Sequence, residues 1–217
     1  LNRMNSDVFF LQETHVASFP EWEGEAFCSF LSNRSAGSAI LFSKSFTGKI
    51  LSSYKGQGGR ICTVNVEFQG REVRLVSVYA PNSPHERKSF FRDELPDFLS
   101  NSVPNILAGD MNCFFSVDLD SHSHSKDTSS LEGAMELADV ATAFGLRDVY
   151  RVLNPDGHDF TWYAHDGRKA SRIDSFFVHR EVTATISSSV FPFSDHSAIK
   201  CVLDFNNNVF CQFSIGT

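Results

Sequence analysis

Polar side chains suited to metal binding and phosphate chemistry recur along this chain, each at the end of an apolar, strand-like run. They lie in five short motifs: LQET at residues 11–14, YAPN at 79–82, GDMN at 109–112, SRID at 171–174 and SDHS at 194–197. Together these motifs supply carboxylates, amides, a phenol and a histidine, the groups that hold one hard divalent cation and a phosphodiester. One such motif can arise by chance, whereas five in series indicate a phosphoesterase.

Two carboxylates in these motifs are candidate metal ligands. Glu13 and Asp195 both follow apolar stretches, so both can lie at the edge of a sheet and point into a cleft. Mg²⁺ prefers oxygen ligands and usually takes only one or two protein carboxylates. A lone glutamate after a strand is more often a solvated turn residue. The four other motifs favour the metal-binding interpretation.

A carboxylate and an amide lie two residues apart in the third motif. Asp110 and Asn112 therefore fall on the same side of an extended segment. A carboxylate can orient and deprotonate a water, and an amide can hold that water or a phosphate oxygen without adding charge. The alternative for this motif is a turn rich in Asp and Asn.

The last two motifs supply an acid–base pair, Asp174 and His196. A histidine whose second ring nitrogen is held by a carboxylate is fixed in orientation and biased towards imidazolium. Such a group can stabilise the negative charge that develops during phosphodiester cleavage. A lone histidine is more often a structural residue, but the neighbouring metal-ligand candidate favours a catalytic one.

Uncharged donors suited to phosphate oxygens are found at Tyr79, Asn82 and Thr161, although each has a structural alternative. Trp162 is expected in the core. The stretch at residues 118–124 holds carboxylates and histidines without ordered metal spacing, so we interpret it as a solvated loop.

The composition limits the function. The formal net charge of −7 disfavours non-specific binding to nucleic acid, because phosphate contacts need local Lys and Arg. It is compatible with an enzyme that meets DNA through a metal ion and a small basic rim. The five cysteines are scattered, which favours a reducing compartment. No apolar run approaches the roughly 18 residues of a membrane span.

Apolar patterning predicts the elements that position these side chains. The predicted strands are 7–11, 26–31, 38–43, 61–68, 72–79, 105–108, 160–163, 172–179 and 198–205. The predicted helices are the end of one at 1–6, then 84–99 and 131–144, with a loop at 116–130. The segments at 160–163 and 172–179 are expected to pair with each other. This mixture predicts an α/β fold, a sandwich of two packed sheets with helices outside.

The order of the motifs resembles the exonuclease–endonuclease–phosphatase superfamily, which includes DNase I-like nucleases and apurinic/apyrimidinic endonucleases. Within it, the chain is most similar to the endonuclease domain of LINE-type (non-LTR) retrotransposons. GLRDVY at 145–150, FTW at 160–162 and ASRIDSFFV at 170–178 carry this closer likeness. The resemblance runs from residue 7 to about residue 205, and it implies a four-layer, DNase I-like α/β sandwich.

The resemblance also implies roles for single residues. Glu13 and Asp195 would bind Mg²⁺, or Mn²⁺, while Asp110 would activate the water with Asn112 beside it. The phosphate site would be lined by Tyr79, Asn82, Thr161 and Ser194, and Asp174 would orient His196. Arg168 and Lys169, at the tip of a hairpin that probes the DNA groove in this group, are predicted to contact phosphate or the minor groove.

Enzymes of this group nick one strand of double-stranded DNA and leave a 5′-phosphate and a 3′-hydroxyl. In retrotransposons the 3′-hydroxyl primes a reverse transcriptase located downstream in the same polyprotein. The resemblance therefore implies these two partners and no membrane partner, with cytoplasmic synthesis and nuclear action. The alternatives are another phosphoesterase of the same fold, acting on abasic sites, phosphoinositides or sphingomyelin, or an inactive remnant.

One departure from the family concerns the first strand, which normally carries an Asn of the metal and phosphate site. This chain starts just after the place where that strand is expected. We therefore expect an N-terminally truncated domain over residues 1–205 and an unassigned tail at 206–217. The missing strand should leave a gap in one sheet with unpaired backbone groups.

Overall fold

A computed structural model describes residues 6–32, 36–123, 129–190, 194–205 and 210–216. Its strands are β1 Val8–Gln12, β2 Glu25–Ser29, β3 Ser38–Phe42, β4 Lys49–Lys55, β5 Ile61–Phe68, β6 Arg71–Tyr79, β7 Asn105–Asp110, β8 Ser121–Ser123, β9 Leu146–Asp148, β10 Trp162–Tyr163, β11 Lys169–Ser171, β12 Asp174–His179, β13 Thr183–Val190, β14 Ser197–Asp204 and β15 Phe210–Gly216. Its helices are α1 Pro84–Ser89, α2 Val117–Asp120, α3 Ala134–Ala143 and α4 Val149–Leu153. A π-helical segment, Phe90–Glu94, and a 3₁₀ segment, Leu95–Phe98, continue α1, and a 3₁₀ turn spans Ser129–Leu131.

Two six-stranded sheets pack face to face. The first has the strand order β13-β14-β15-β1-β3-β2, and the second has the order β4-β5-β6-β7-β12-β9. Apolar side chains from both sheets form the layer between them, with Phe10 against Phe176 edge to face at 5.8 Å. This confirms the predicted packing of two mixed sheets.

Helices cover the outer face of the second sheet. Phe91, Leu95 and Leu137 pack there on Val76 and Val78. The apolar positions of residues 84–98 and of α3 recur at helical spacing, so each helix presents one apolar face to the sheet. No helix in the described residues is both long and apolar enough to span a membrane.

The predicted strands at 7–11, 72–79 and 105–108, which lead into three of the motifs, form as β1, β6 and β7. The predicted hairpin of β5 and β6 is also confirmed. Its turn residues Gln69 and Gly70 both have positive φ, 54° and 73°, the geometry of a tight hairpin turn. The predicted helix at 84–99 forms as three consecutive helical segments. The predicted helix at 131–144 begins only at Ala134, after Gly133 with φ 93°.

Two sequence predictions are wrong, one about a loop and one about strand pairing. The segment at 116–130 is not a continuous loop, because it contains α2, β8 and a 3₁₀ turn. The partner of β10 is β11, which continues to β8 in a small third sheet. Strand β12 pairs with β7 and β9 in the second sheet, because its nearly continuous buried side chains suit the centre of a large sheet.

The expected gap in one sheet is filled by β15. This strand pairs in parallel with β1 and antiparallel with β14, so the position between them is occupied. The prediction of unpaired backbone groups there is wrong, since β15 supplies their partners, and residues 210–216 of the unassigned tail belong to the sheet. Most of the predicted helix at 1–6 lies outside the described residues.

Candidate active site

Three neighbouring strands of the second sheet bring motif residues to one edge. Tyr79 at the end of β6 is the register partner of Asp110 at the end of β7, and Asp110 is the partner of Asp174 at the start of β12. Gly109 allows the close approach of β6 and β7, because a Cβ there would lie 1.9 Å from the carbonyl oxygen of Val78. Strand register therefore places Tyr79, Asp110 and Asp174 in one row across three neighbouring strands.

The first sheet contributes the opposite wall. Glu13 follows β1, and Asp195 and His196 come just before β14. The resulting cleft has a volume of about 350 Å³. It is lined by Glu13, Asn82, Asp110, Asn112, Ser130, Trp162, Ser171, Ile173, Asp195 and His196. Six residues predicted from the motifs thus meet in one cleft.

Two cleft residues have a left-handed backbone. Glu13 has φ 51° and Asn112 has φ 49°. Asparagine adopts this conformation readily, whereas for glutamate it is strained. Backbone strain of this kind is retained where the surrounding structure fixes it, and such positions cluster at functional sites.

Tyr79 holds the Glu13 carboxylate. Its hydroxyl donates to Glu13 Oε1 over 2.6 Å, and the guanidinium of Arg60 lies over its ring. Burial, together with the hydrogen bond and the charge of Glu13, raises the pKa of the Tyr79 phenol well above its usual value. The phenol therefore stays protonated and remains a donor at neutral pH.

The amides of Asn82 and Asn112 are held beside Asp110. Asn112 Nδ2 donates to the carbonyl oxygen of Ala80 over 2.9 Å and to Asn82 Oδ1 over 2.8 Å. The backbone N–H of Asn112 donates to Asp110 Oδ1 over 2.8 Å. These bonds fix the position of the Asn112 amide relative to the Asp110 carboxylate.

Asp110, Asp174 and His196 form the charged centre of the cleft. One ligand atom of each lies within 4.8 Å of the others, and His196 Nδ1 is 2.8 Å from Asp174 Oδ2. Burial and the charge of Asp174 raise the pKa of Asp110 to about 8. Burial opposes charge on His196, but Asp174 outweighs it through its charge and hydrogen bond, and the pKa of His196 rises to about 9. At neutral pH the centre therefore holds an imidazolium and a carboxyl group whose pKa suits proton transfer.

The sequence predicted that Trp162 is a core residue, and this prediction is wrong. Trp162 lines the cleft. It is half-buried, and its indole Nε1 donates to Asp195 Oδ2 over 2.9 Å. Strand β10 also holds this segment through its backbone, since the N–H of Tyr163 donates to the carbonyl oxygen of Asp195. No local signal in the sequence links these positions.

The donor set fits a hard divalent cation. Glu13 and Asp195 both line the cleft, and among the described residues each accepts one side-chain hydrogen bond, on one of its two oxygens. The second oxygen of each carboxylate thus remains for a further ligand. Two carboxylates in a water-accessible cleft are a typical protein contribution to Mg²⁺ binding.

Thr161 lies beneath the cleft rather than in its wall. It is 3% exposed, and its Oγ1 accepts hydrogen bonds from the backbone N–H groups of Ile173 and Asp174, both over 3.0 Å. Its carbonyl oxygen accepts from the N–H of Ser197, the residue after His196. Thr161 thus ties Asp174 to the segment that carries His196. That Thr161 also contacts phosphate stays a prediction.

Thr161→Val is therefore expected to destabilise the fold by about 1–3 kcal/mol, because it leaves two buried N–H groups without their acceptor. Urea unfolding followed by circular dichroism measures the change. Thr161→Ser keeps the hydroxyl and serves as the control. A Val variant as stable as wild type, but with weakened DNA binding, would contradict this structural role and favour the predicted phosphate contact.

The other predicted substrate contacts lie at the periphery. Ser194 Oγ accepts the backbone N–H of His196 over 3.0 Å. Arg168 and Lys169 are exposed at the connection between β10 and β11, where Asp166 accepts the N–H of Arg168. Their contacts with DNA stay predictions.

Known proteins include relatives of this chain. The chain matches the model of the Endonuclease/Exonuclease/phosphatase family over residues 1–196. It is 33% identical over 205 residues to the "Transposon TX1 uncharacterized 149 kDa protein" of Xenopus laevis, a match that covers 88% of this chain but only 15% of that protein.

Solved structures share the fold at low sequence identity. The AP endonuclease of Leishmania major superposes with a TM-score of 0.74 at 18% identity, covering 94% of this chain and 80% of that one. An AP endonuclease from Archaeoglobus fulgidus gives 0.73 at 16% identity, covering 94% and 91%. These similarities confirm the DNase I-like architecture.

Proposed function

Because the chain belongs to the endonuclease/exonuclease/phosphatase family, we propose that it is a metal-dependent endonuclease that nicks one strand of duplex DNA, leaving a 5′-phosphate and a 3′-hydroxyl. The observation that carries this proposal is the convergence of Glu13, Asp110, Asn112, Asp195 and His196 on one cleft. That set combines oxygen ligands for a hard metal ion, a candidate base in Asp110 and a positively charged imidazolium in His196.

The chain's own residues divide the work of phosphodiester hydrolysis. Glu13 and Asp195 would hold a Mg²⁺ ion, which when bound would supply Lewis-acid polarisation of the scissile phosphate. Asp110 aligns the attacking water and, in its ionised form, takes its proton; burial and the charge of Asp174 raise its pKa to about 8. The imidazolium of His196 stabilises the negative charge of the transition state.

The transposon relative supports the finer proposal. We infer that this chain acts as the endonuclease domain of a LINE-type retrotransposon polyprotein, with a reverse transcriptase downstream that extends the 3′-hydroxyl, and that it works in the nucleus. The chain spans 15% of the length of that relative. Arg168 and Lys169 at the exposed hairpin tip are the proposed contacts with the DNA backbone or minor groove.

The test is conversion of supercoiled plasmid to open circle. Wild type is expected to nick in Mg²⁺ and to stop when a chelator is added, and Asp195→Ala is expected to be inactive while folded by circular dichroism. An abasic duplex is assayed in parallel, because the structures that share the fold include AP endonucleases. Cleavage of the abasic duplex alone, or nicking that persists in chelator, would contradict the proposal.

A further inference from the structure

Each carboxylate proposed to bind the metal ion accepts a hydrogen bond from an aromatic side chain. Tyr79 donates to Glu13 on one side of the cleft, and Trp162 donates to Asp195 on the other. We propose that Trp162 is a positioning residue for metal binding, which acts by fixing the Asp195 carboxylate. The inference rests on the proposed function, since it takes Asp195 as a metal ligand.

The indole of Trp162 is suited to positioning a metal ligand but not to binding the metal ion itself. Tryptophan has one N–H donor and no acceptor, so Trp162 cannot ligate a cation itself. Its N–H is directed to Oδ2 of Asp195 over 2.9 Å. With that oxygen held, the rotation of the carboxylate is fixed, and Oδ1 has a defined direction in the cleft.

Asp195 needs such a partner because it is exposed. It lies two residues before β14, outside the strand itself. Strand β10 confines it from outside. Trp162 forms an isolated β-bridge with His196, the N–H of Tyr163 bonds the Asp195 carbonyl oxygen, and the indole holds the side chain. One short strand therefore orders both the backbone and the carboxylate of this ligand.

Hydrogen-bond partners of metal ligands tune affinity, and their removal typically lowers metal affinity by about 10–100-fold. Trp162→Phe removes the N–H and keeps an apolar ring. The chain offers a matched control in its second tryptophan, because Trp22 Nε1 donates to the carbonyl oxygen of Phe42, also over 2.9 Å, away from the cleft. Trp22→Phe loses the same type of bond.

The experiment is a titration of each protein with MnCl₂ alone, followed by electron paramagnetic resonance of the free ion. Trp162→Phe is expected to bind Mn²⁺ about tenfold or more weakly than wild type, and Trp22→Phe is expected to match wild type. Nicking by Trp162→Phe should be low at limiting Mg²⁺ and recover at high Mg²⁺. A general structural defect would not recover in this way.

A second measurement does not depend on how Trp162→Phe folds. In Trp22→Phe the only remaining indole is Trp162, so Mn²⁺ is expected to quench its fluorescence as the metal binds. Bound Mn²⁺ with unchanged fluorescence would overturn the inference.

Asp195→Ala distinguishes failure of the Trp162 inference from failure of the metal-ligand assignment. If Asp195→Ala loses Mn²⁺ binding while Trp162→Phe keeps wild-type affinity, the inference is wrong and the proposed function stands. If Asp195→Ala binds Mn²⁺ like wild type, the ligand assignment fails, and the inference fails with it.

Discussion

Alanine in place of His196 is expected to lower the rate of DNA nicking by about 10²–10⁴-fold and to leave the fold in place. His196 lines the cleft just before β14, and its replacement removes none of the apolar side chains that form the core clusters. Its loss removes the one cationic side chain that the described residues place in the cleft lining beside Asp110.

The size of the effect follows from how firmly the imidazole is held. Its Nδ1 is 2.8 Å from a carboxylate oxygen of Asp174, which is only 1% exposed. Although burial opposes the charged form, Asp174 raises the pKa of His196 to about 9. A fixed positive charge in a partly dry cleft stabilises a developing oxyanion without reorganising during the reaction.

The measurement is the single-turnover nicking rate on supercoiled plasmid in saturating Mg²⁺, with the thermal midpoint of each variant beside it. His158→Ala, which removes an exposed histidine outside the cleft lining, is the control and is expected to match wild type. If His196→Ala keeps more than about a tenth of the wild-type rate while folded, below the range typical of acid–base groups, His196 does not have the proposed role.

Several residues of the cleft could be predicted because they lie at the end of a strand or directly after it in the sequence. Asp110 ends a fully buried strand, and Glu13 follows another, so apolar patterning alone places both at sheet edges. Within a strand, side chains alternate faces. Local sequence therefore places each carboxylate at a strand end, whereas the packing of the two sheets brings the two strand ends to one cleft.

Contacts between segments distant in sequence could not be predicted in the same way. The Trp162–Asp195 hydrogen bond joins residues 33 apart, and the pairing of Asp120 with Arg172 joins residues 52 apart. Asp120 lies in a polar stretch that locally resembles a solvated loop. Only the return of the chain at Arg172 gives it a buried partner.

The strand at residues 210–216 was missed for a related reason. Its apolar residues alternate with polar ones over only a few positions, which is too short a pattern to identify a strand by itself. What makes it a strand is the pair of neighbours, β1 and β14, whose backbone groups need partners. That requirement is a property of the assembled sheet.

A buried ion network behind the cleft is expected to carry a large share of its stability. Arg172 is 3% exposed, and its Nε donates to Asp120 Oδ1 over 2.7 Å. Its other nitrogens reach Asp148 Oδ2 at 2.8 Å and Ser175 Oγ at 3.2 Å, and its guanidinium lies 5.1 Å from the centre of the Tyr150 ring. Arginine supplies this planar set of donors, which a lysine cannot reproduce.

The network also connects the segment at 115–120 with Arg151 and with Arg172, which lies just before β12. Asp120 accepts a second bond from Arg151, and its other oxygen accepts the N–H groups of Phe115 and Ser116. Although burial alone would raise the pKa of Asp120, the bonds from the two arginines lower it, so the carboxyl stays ionised. Arg172 stands two residues before Asp174, so the same contacts hold the start of β12.

Arg172→Met is expected to lower the free energy of unfolding by about 3–5 kcal/mol, because it removes the guanidinium that pairs with Asp148 and leaves the buried Asp120 with Arg151 alone. Urea unfolding at neutral pH measures the loss, and nicking should fall as Asp174 is released. Arg92→Met removes an exposed Arg–Asp pair and is expected to change stability little. Arg172→Lys keeps the charge without the planar donors and should fall between wild type and Arg172→Met. Equal stability of Arg172→Met and Arg92→Met would show that the buried pair contributes no more than a surface one.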